Sequence, residues 1–250
     1  MASERGRGED DDRIVSYGDA TLVRSDLAIL RGPHYLNDRL IHFFFTHLDL
    51  ECDEGEDILL VPPSLAFLIA HFPGPSSSLA DVVAPLALPR RKLVLFPVND
   101  NPDVTLAEGG SHWSLLVCHV PSRLFVHHDN SGRLNSPHAR HLFHSLNPFY
   151  ISPQDFRYIE GPTPTQTNGY DCGLYVMAIA RCVCQWYYQG KNKAPDDDKE
   201  NWFAVLSDQL NANKVHELRG ELLSLVLSLM TETESKNMKY RKFGARNLKP

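Results

Sequence analysis

Few cysteines, no excess of basic charge and no long apolar run bound what this chain of 250 residues can be. Cys52, Cys118, Cys172, Cys182 and Cys184 are sparse and odd in number. A disulfide-built secreted scaffold is short and Cys-dense, so a reducing compartment is expected: cytoplasm, nucleus or both. Lys and Arg total 25 against 31 Asp and Glu, a net charge of -6, so the basic footprint of a nucleic-acid-binding chain is missing. ELLSLVLSLM at 221–230 is the longest apolar helix-like run. It falls well short of the roughly 20 residues a membrane span needs. The opening MASERGRGEDDD has no apolar stretch of the signal-peptide kind, so no such leader is expected. Neither nucleic acid nor a membrane is an expected partner, and no internal repeat is visible.

What remains is ordinary globular composition, 42% hydrophobic and 22% charged, enough for a sizeable core. Residues 1–13 are acidic and expected to be disordered, 14–232 to form a single domain, and 233–250 to make a basic tail. That tail reads as solvated, with a nuclear-import patch as the alternative. The polar, Pro-containing stretch 189–200 reads as a surface loop. Helices are expected at 36–48, at 64–72 behind two prolines, from a Ser78 cap to Ala84, and at 137–146 with Ser136 as N-cap and Pro137 first. Strands are expected at 92–98, 113–120, 123–129 and 155–161. The run 172–188 is apolar almost all round, the mark of a helix buried in mid-domain. Amphipathic helices at 199–211 and 214–231 follow. The fold class is α+β, with a small, mostly antiparallel sheet packed on the buried central helix.

Three features of this layout bear on chemistry. If the hairpin turns at Pro121-Ser122, residues whose numbers sum to 243 face each other, and His112 and Asp129 share one face at its open end. Such diagonal neighbours have Cα atoms roughly 7–8 Å apart, near enough for a carboxylate to meet an imidazole. Cys172 follows a polar, Gly-containing turn and opens the apolar helix, with Gly173 removing a side chain that would obstruct a substrate. Unpaired N–H groups at a helix N-terminus, with an imidazolium nearby, are the setting in which thiols become nucleophiles. Gln166 in the preceding loop adds an amide donor. Taken singly, each has a plain structural reading. Together they supply nucleophile, base, orienting carboxylate and oxyanion donor.

The strings GSHWSLLV (110–117), HDNS (128–131) and QTNGYDCGLYV (166–176) resemble the signature blocks of the ubiquitin-like-protein-specific cysteine proteases, the Ulp/sentrin-protease family related to adenain. The order His, Asp, Gln, Cys agrees, and VSYGDATLVRSD, YLND, VNDN and NSPHAR extend the likeness, which is greatest to the deneddylase branch. The resemblance implies an Ulp/adenain-like fold with Cys172, His112, Asp129 and Gln166 as catalytic residues. It implies Trp113 and Tyr35 as roof and wall of a tunnel for a Gly-Gly tail, and Asp38 and Asn99 as contacts to the modifier. The implied activity is thiol-dependent cleavage after the C-terminal Gly-Gly of a Nedd-type (Rub) modifier, maturing its precursor and freeing it from conjugates such as cullins. A SUMO-directed or dual-specificity protease, a modifier-binding adaptor without catalysis, and an acyltransferase are the alternatives. No cofactor and no metal are expected, and the chain is expected to be a monomer. Relatives commonly carry Trp at the place of Tyr35 and Ser at that of Asn130.

Other clusters read as packing. His138, His141 and His144 recur every three residues but drift off one helix face, which disfavours zinc. Cys182 and Cys184 point to different helix faces, and Phe43-Phe44-Phe45 and Trp186-Tyr187-Tyr188 suit core and helix-end positions.

Overall fold

In a computed structural model, residues 12–52, 56–106, 109–150, 152–190 and 202–246 are described. The expected N-terminal disorder (nearly all of it) and most of the 189–200 loop lie outside them. Two short strands, β1 (Arg13–Tyr17) and β2 (Ala20–Val23), form an antiparallel hairpin turned at Gly18, whose φ of +56 suits a residue without a Cβ. Helix α1 (Arg24–Arg31) follows directly, its buried Asp26 accepting from the Val23 N–H at 2.8 Å. The same carboxylate takes a forked ion pair from Arg39 and an amide N–H from Asn37, fastening α1 to the head of α2 (Asp38–Cys52).

The main sheet has five strands in the order β3 (Ile58–Leu60), β4 (Leu93–Asn99), β5 (Trp113–His119), β6 (Leu124–His128), β7 (Arg157–Glu160). Its centre, β4-β5-β6, is antiparallel; each edge strand runs parallel to its neighbour. Alternation along the strands divides the core in two. Leu93, Leu95, Leu115, Val117 and Val126 pack toward α6 (Cys172–Gly190). Val94, Phe96, Leu116, Cys118 and Phe125 face the other side, where α3 (Pro63–Ala70), α4 (Ser76–Val83) and α5 (Ser136–Leu146) lie. Burial on both faces explains why the central strands read as continuous apolar runs. Residues 172–180 of α6 are all buried, as an all-round apolar helix demands. Phe43, Phe44 and Phe45 from α2 fill the same core.

Helices α7 (Phe203–Gln209) and α8 (Ala212–Arg246) complete the chain. Trp202, almost wholly buried, donates its indole N–H to His128 Nε2 at 2.8 Å, and His128 Nδ1 donates to the Pro162 carbonyl. Burial holds the His128 pKa down to about 3, so the neutral ring is a fixed pin at the end of β6, one residue before Asp129. No helix among the described residues is long and apolar enough to cross a membrane.

Three boundaries differ from the sequence expectations. Helix α8 continues through 233–246, where a basic tail was expected. Helix α4 starts at Ser76, placing Ser78 inside it rather than at its cap. Asn135, not Ser136, is the N-cap of α5, because the Ser136 hydroxyl donates to Glu160 instead. Glu160 also pairs with buried His127 and accepts from Tyr158; burial raises its pKa, but these partners outweigh it and pull it down to about 2.

Candidate active site

The β5–β6 register pairs Leu115 with His128, Leu116 with His127 and Val117 with Val126, the sums of 243 that the turn at Pro121-Ser122 dictates. One residue beyond the strand ends, His112 Nε2 lies 2.7 Å from Asp129 Oδ1, with side chains 5% and 1% exposed. The carboxylate also accepts the Ser131 N–H at 2.9 Å and the Asn135 N–H at 2.8 Å. Burial raises the Asp129 pKa, but these three donors outweigh it and hold it below the ordinary range. For His112 burial works downward, yet its hydrogen bonds and charge interactions with Asp129 and Cys172 push it up to about 9.

The sign of that shift gives a pH prediction. A folded pKa near 9 against an ordinary 6.5 contributes stability that is complete below pH 6.5 and lost as pH rises through 9. Asp129 works the other way, contributing above its ordinary 3.8 and losing it on acidification. Thermal midpoints of wild type and His112→Ala should therefore differ most on the acid side of 6.5 and converge toward 9. A constant difference across that window would show that the imidazole does not titrate as described.

Backbone bonds fix His112 as firmly as its side chain does. The His112 N–H donates to Asp100 Oδ1 at 2.9 Å, and Ser111 gives the same aspartate two further bonds. On the carbonyl side, Asn135 Nδ2 donates to His112 O and to Val98 O, both at 3.2 Å. Asn135 thus holds His112 by its side chain and Asp129 by its N–H. Asp100 and Asn135 lie inside strings already singled out, VNDN and NSPHAR, but nothing in residue type alone distinguishes such buttresses.

Cys172 heads α6 at 1% exposure. Its thiol lies beside His112 and the Tyr35 hydroxyl and helps to raise the pKa of each. With Nε2 engaged by Asp129, Nδ1 is the ring nitrogen left for the sulfur. Asn168 shapes the approach to the helix: its Oδ1 accepts the N–H groups of Tyr170 and Asp171, and its amide donates to Asp171. A Cβ on Gly173 would sit 2.9 Å from Leu36 Cβ, so the missing side chain makes room for Leu36.

Around the sulfur, Trp113 is buried and donates Nε1–H to Leu36 O at 2.9 Å, locking the indole against the segment that carries Tyr35. Asn99 Nδ2 donates to the Tyr35 hydroxyl at 3.4 Å, while Asn99 Oδ1 accepts the Asn101 N–H. Asp38 stands apart at the first turn of α2, partly exposed, its carboxylate accepting the Arg39 N–H. Gln166 is tied to the acid loop by its own N–H donating to Asn130 O at 3.0 Å. One N–H of its carboxamide bonds to Asn168 O, which leaves the second available; among the described residues its buried Oε1 has no partner. His138 and His141 line a small cleft with His71 beside Asn99, and His144 packs on Phe143. Among the described residues no cluster of three or more His, Cys, Asp or Glu could hold a metal ion.

Residues 72–204 match the Ulp1 protease family, C-terminal catalytic domain. NEDD8-specific protease 1 of Arabidopsis thaliana is 44% identical over 232 residues, covering 92% of this chain and 100% of that protein. Sentrin-specific protease 8 of Rattus norvegicus is 33% identical over 185 residues, covering 73% and 84%. A crystal structure of the de-sumoylating protease superposes with a TM-score of 0.69 at 15% identity, over 92% of this chain and 95% of that one, a likeness of fold.

Proposed function

The chain belongs to the Ulp1 family of cysteine proteases, and we propose that it cleaves after the C-terminal Gly-Gly of a NEDD8-type (Rub) modifier, in precursors and in conjugates such as cullins. The observation that carries the reading is the constellation itself: a thiol at a helix head, beside an imidazole held 2.7 Å from a buried carboxylate. The 44% identity to a relative named for NEDD8 supports the choice of modifier.

In this mechanism the Cys172 sulfur attacks the carbonyl carbon of the terminal glycine. Attack requires the thiolate, which forms as the His112 ring takes the thiol proton. Charge develops on the carbonyl oxygen, where the Cys172 N–H, unpaired at the first turn of α6, and the free N–H of Gln166 stabilise it. Collapse breaks the C–N bond; His112 gives its proton to the departing amine, and a thioester to Cys172 remains. Water, deprotonated by His112, attacks the thioester carbonyl, and the modifier leaves with a free carboxylate as the thiol is restored. Asp129 stays ionised throughout and keeps the ring oriented.

Two measurements test this. Electrophile-tipped NEDD8, SUMO and ubiquitin should be offered in parallel, with NEDD8 expected to label Cys172 fastest. Preferential labelling by SUMO would move the chain to a SUMO-directed activity, and labelling by none would remove the protease reading. Gln166→Ala should lower kcat about 10²–10³-fold with little change in KM, as expected for a donor acting on the transition state. An equal loss in binding would mean that the glutamine only shapes the loop.

A further inference from the structure

Arg219 lies on the C-terminal helix α8, yet its side chain is 8% exposed and its guanidinium faces inward. Nη1 donates to Ile29 O at 3.0 Å and to Gly32 O at 3.1 Å. Nη2 donates to His34 O at 2.9 Å and to Asp171 Oδ1 at 2.8 Å. The three carbonyls belong to the end of α1 and the turn that runs straight into Tyr35 and Leu36. The carboxylate belongs to the residue immediately before Cys172. Asp171 is itself doubly committed: its other oxygen accepts from Asn168, and its backbone carbonyl accepts the Tyr175 N–H that begins α6.

One cation therefore joins two chain segments by directional hydrogen bonds. One carries the Tyr35–Leu36 wall beside the sulfur; the other carries the sulfur. Burying a guanidinium is unfavourable unless it is paired and hydrogen-bonded, and an apolar side chain of similar volume would seat α8 at least as well. What an apolar residue cannot do is fix direction. The planar fork aims several N–H groups at set angles, where a lysine ammonium would reach only some of the four acceptors.

We propose that Arg219 is a positioning residue for the hydrolysis: by clamping Asp171 to the Ile29–His34 carbonyls it sets the Cys172 sulfur against both His112 and the tail-binding wall. The proposal rests on Cys172 being the nucleophile. Arg219 touches neither substrate nor sulfur and acts only through the two segments it joins.

The test uses the full chain with Arg219→Lys, Asp171→Asn and the double variant. Three quantities are read at temperatures well below each unfolding transition: kcat, KM on a NEDD8–fluorophore amide, and the pH profile of Cys172 alkylation by iodoacetamide. Misplacement of reacting groups by about 1 Å lowers rate roughly 10²-fold, so each folded single variant should lose about 10–10² in kcat with KM nearly unchanged. The pH profile of Cys172 alkylation should differ from that of the wild type, and the double variant should be no slower than the worse single one. Variants that melt earlier but keep the wild-type kcat and alkylation profile would overturn the proposal, leaving Arg219 a stability residue. Should Arg219→Lys not fold, the near-isosteric Asp171→Asn, which retains the three carbonyl bonds, decides by the same criteria. Failure of the nucleophile assignment is separately visible: wild-type Cys172 would then be inert to NEDD8, SUMO and ubiquitin electrophiles alike, and this proposal would fall with it.

Discussion

Cys172→Ala should bring hydrolysis of a NEDD8–fluorophore amide down to background while leaving binding of the intact modifier nearly unchanged. The size of the loss follows from what the sulfur does. Where nucleophile and base work as a unit, removing the nucleophile forfeits almost all that the unit supplies, on the order of 10⁶ in kcat. The residual rate reflects only the oxyanion donors and the bound geometry. The fold should survive, because the substitution removes a single buried atom at a helix head and Ala is a good helix former. His112 supplies an internal check. Part of what raises its pKa is its contact with Cys172, so in the variant the ring should titrate below about 9 while remaining bonded to Asp129. Calorimetric titration with the modifier, fluorimetric turnover and the imidazole resonance of His112 would measure the three effects. Turnover persisting above a hundredth of wild type would place the nucleophile elsewhere.

Much of this site can be read from local pattern because its parts are set by local rules. Pro121-Ser122 fixes a turn, the turn fixes a register, and the period of two then places His112 and Asp129 on one face. An all-round apolar run can only be a buried helix, and that assigns Cys172 to its head. The missed parts depend on long-range partners. The β1–β2 hairpin and α1 are short, and the latter is held by Asp26 bonding to Asn37 and Arg39, residues of another segment. The edge strand β3 is three residues long and acquires its identity only from pairing with β4. Ser136 has the composition of a cap, but Glu160, distant in sequence, claims its hydroxyl. Arg219 carried no signal in the sequence, since a charged residue on an amphipathic helix is ordinarily solvated. Its burial appears only once Asp171 and the Ile29–His34 carbonyls are assembled around it.

His112→Ala should be the next most severe change, lowering kcat roughly 10⁴-fold, the upper end of what a positioned acid–base group supplies. The ring acts twice in each cycle, protonating the amine and then deprotonating water, so both acylation and deacylation lose their proton carrier. The variant also strands Asp129 with only the Ser131 and Asn135 N–H groups as donors. Its carboxylate then loses the first of the partners that offset burial, so acid should unfold the variant at higher pH than wild type. Asp129→Asn should cost less, about 10² in kcat, because an amide oxygen can still receive the ring N–H. Its NH₂ group then takes the place of Oδ2 and faces the Asn135 N–H, a donor against a donor, and that clash should appear as lost stability. The two residues act through one hydrogen bond, so the double variant should be scarcely slower than His112→Ala alone. Steady-state kinetics of the three variants decide the matter: strictly multiplicative losses would mean that Asp129 contributes to catalysis by some route other than the imidazole it holds.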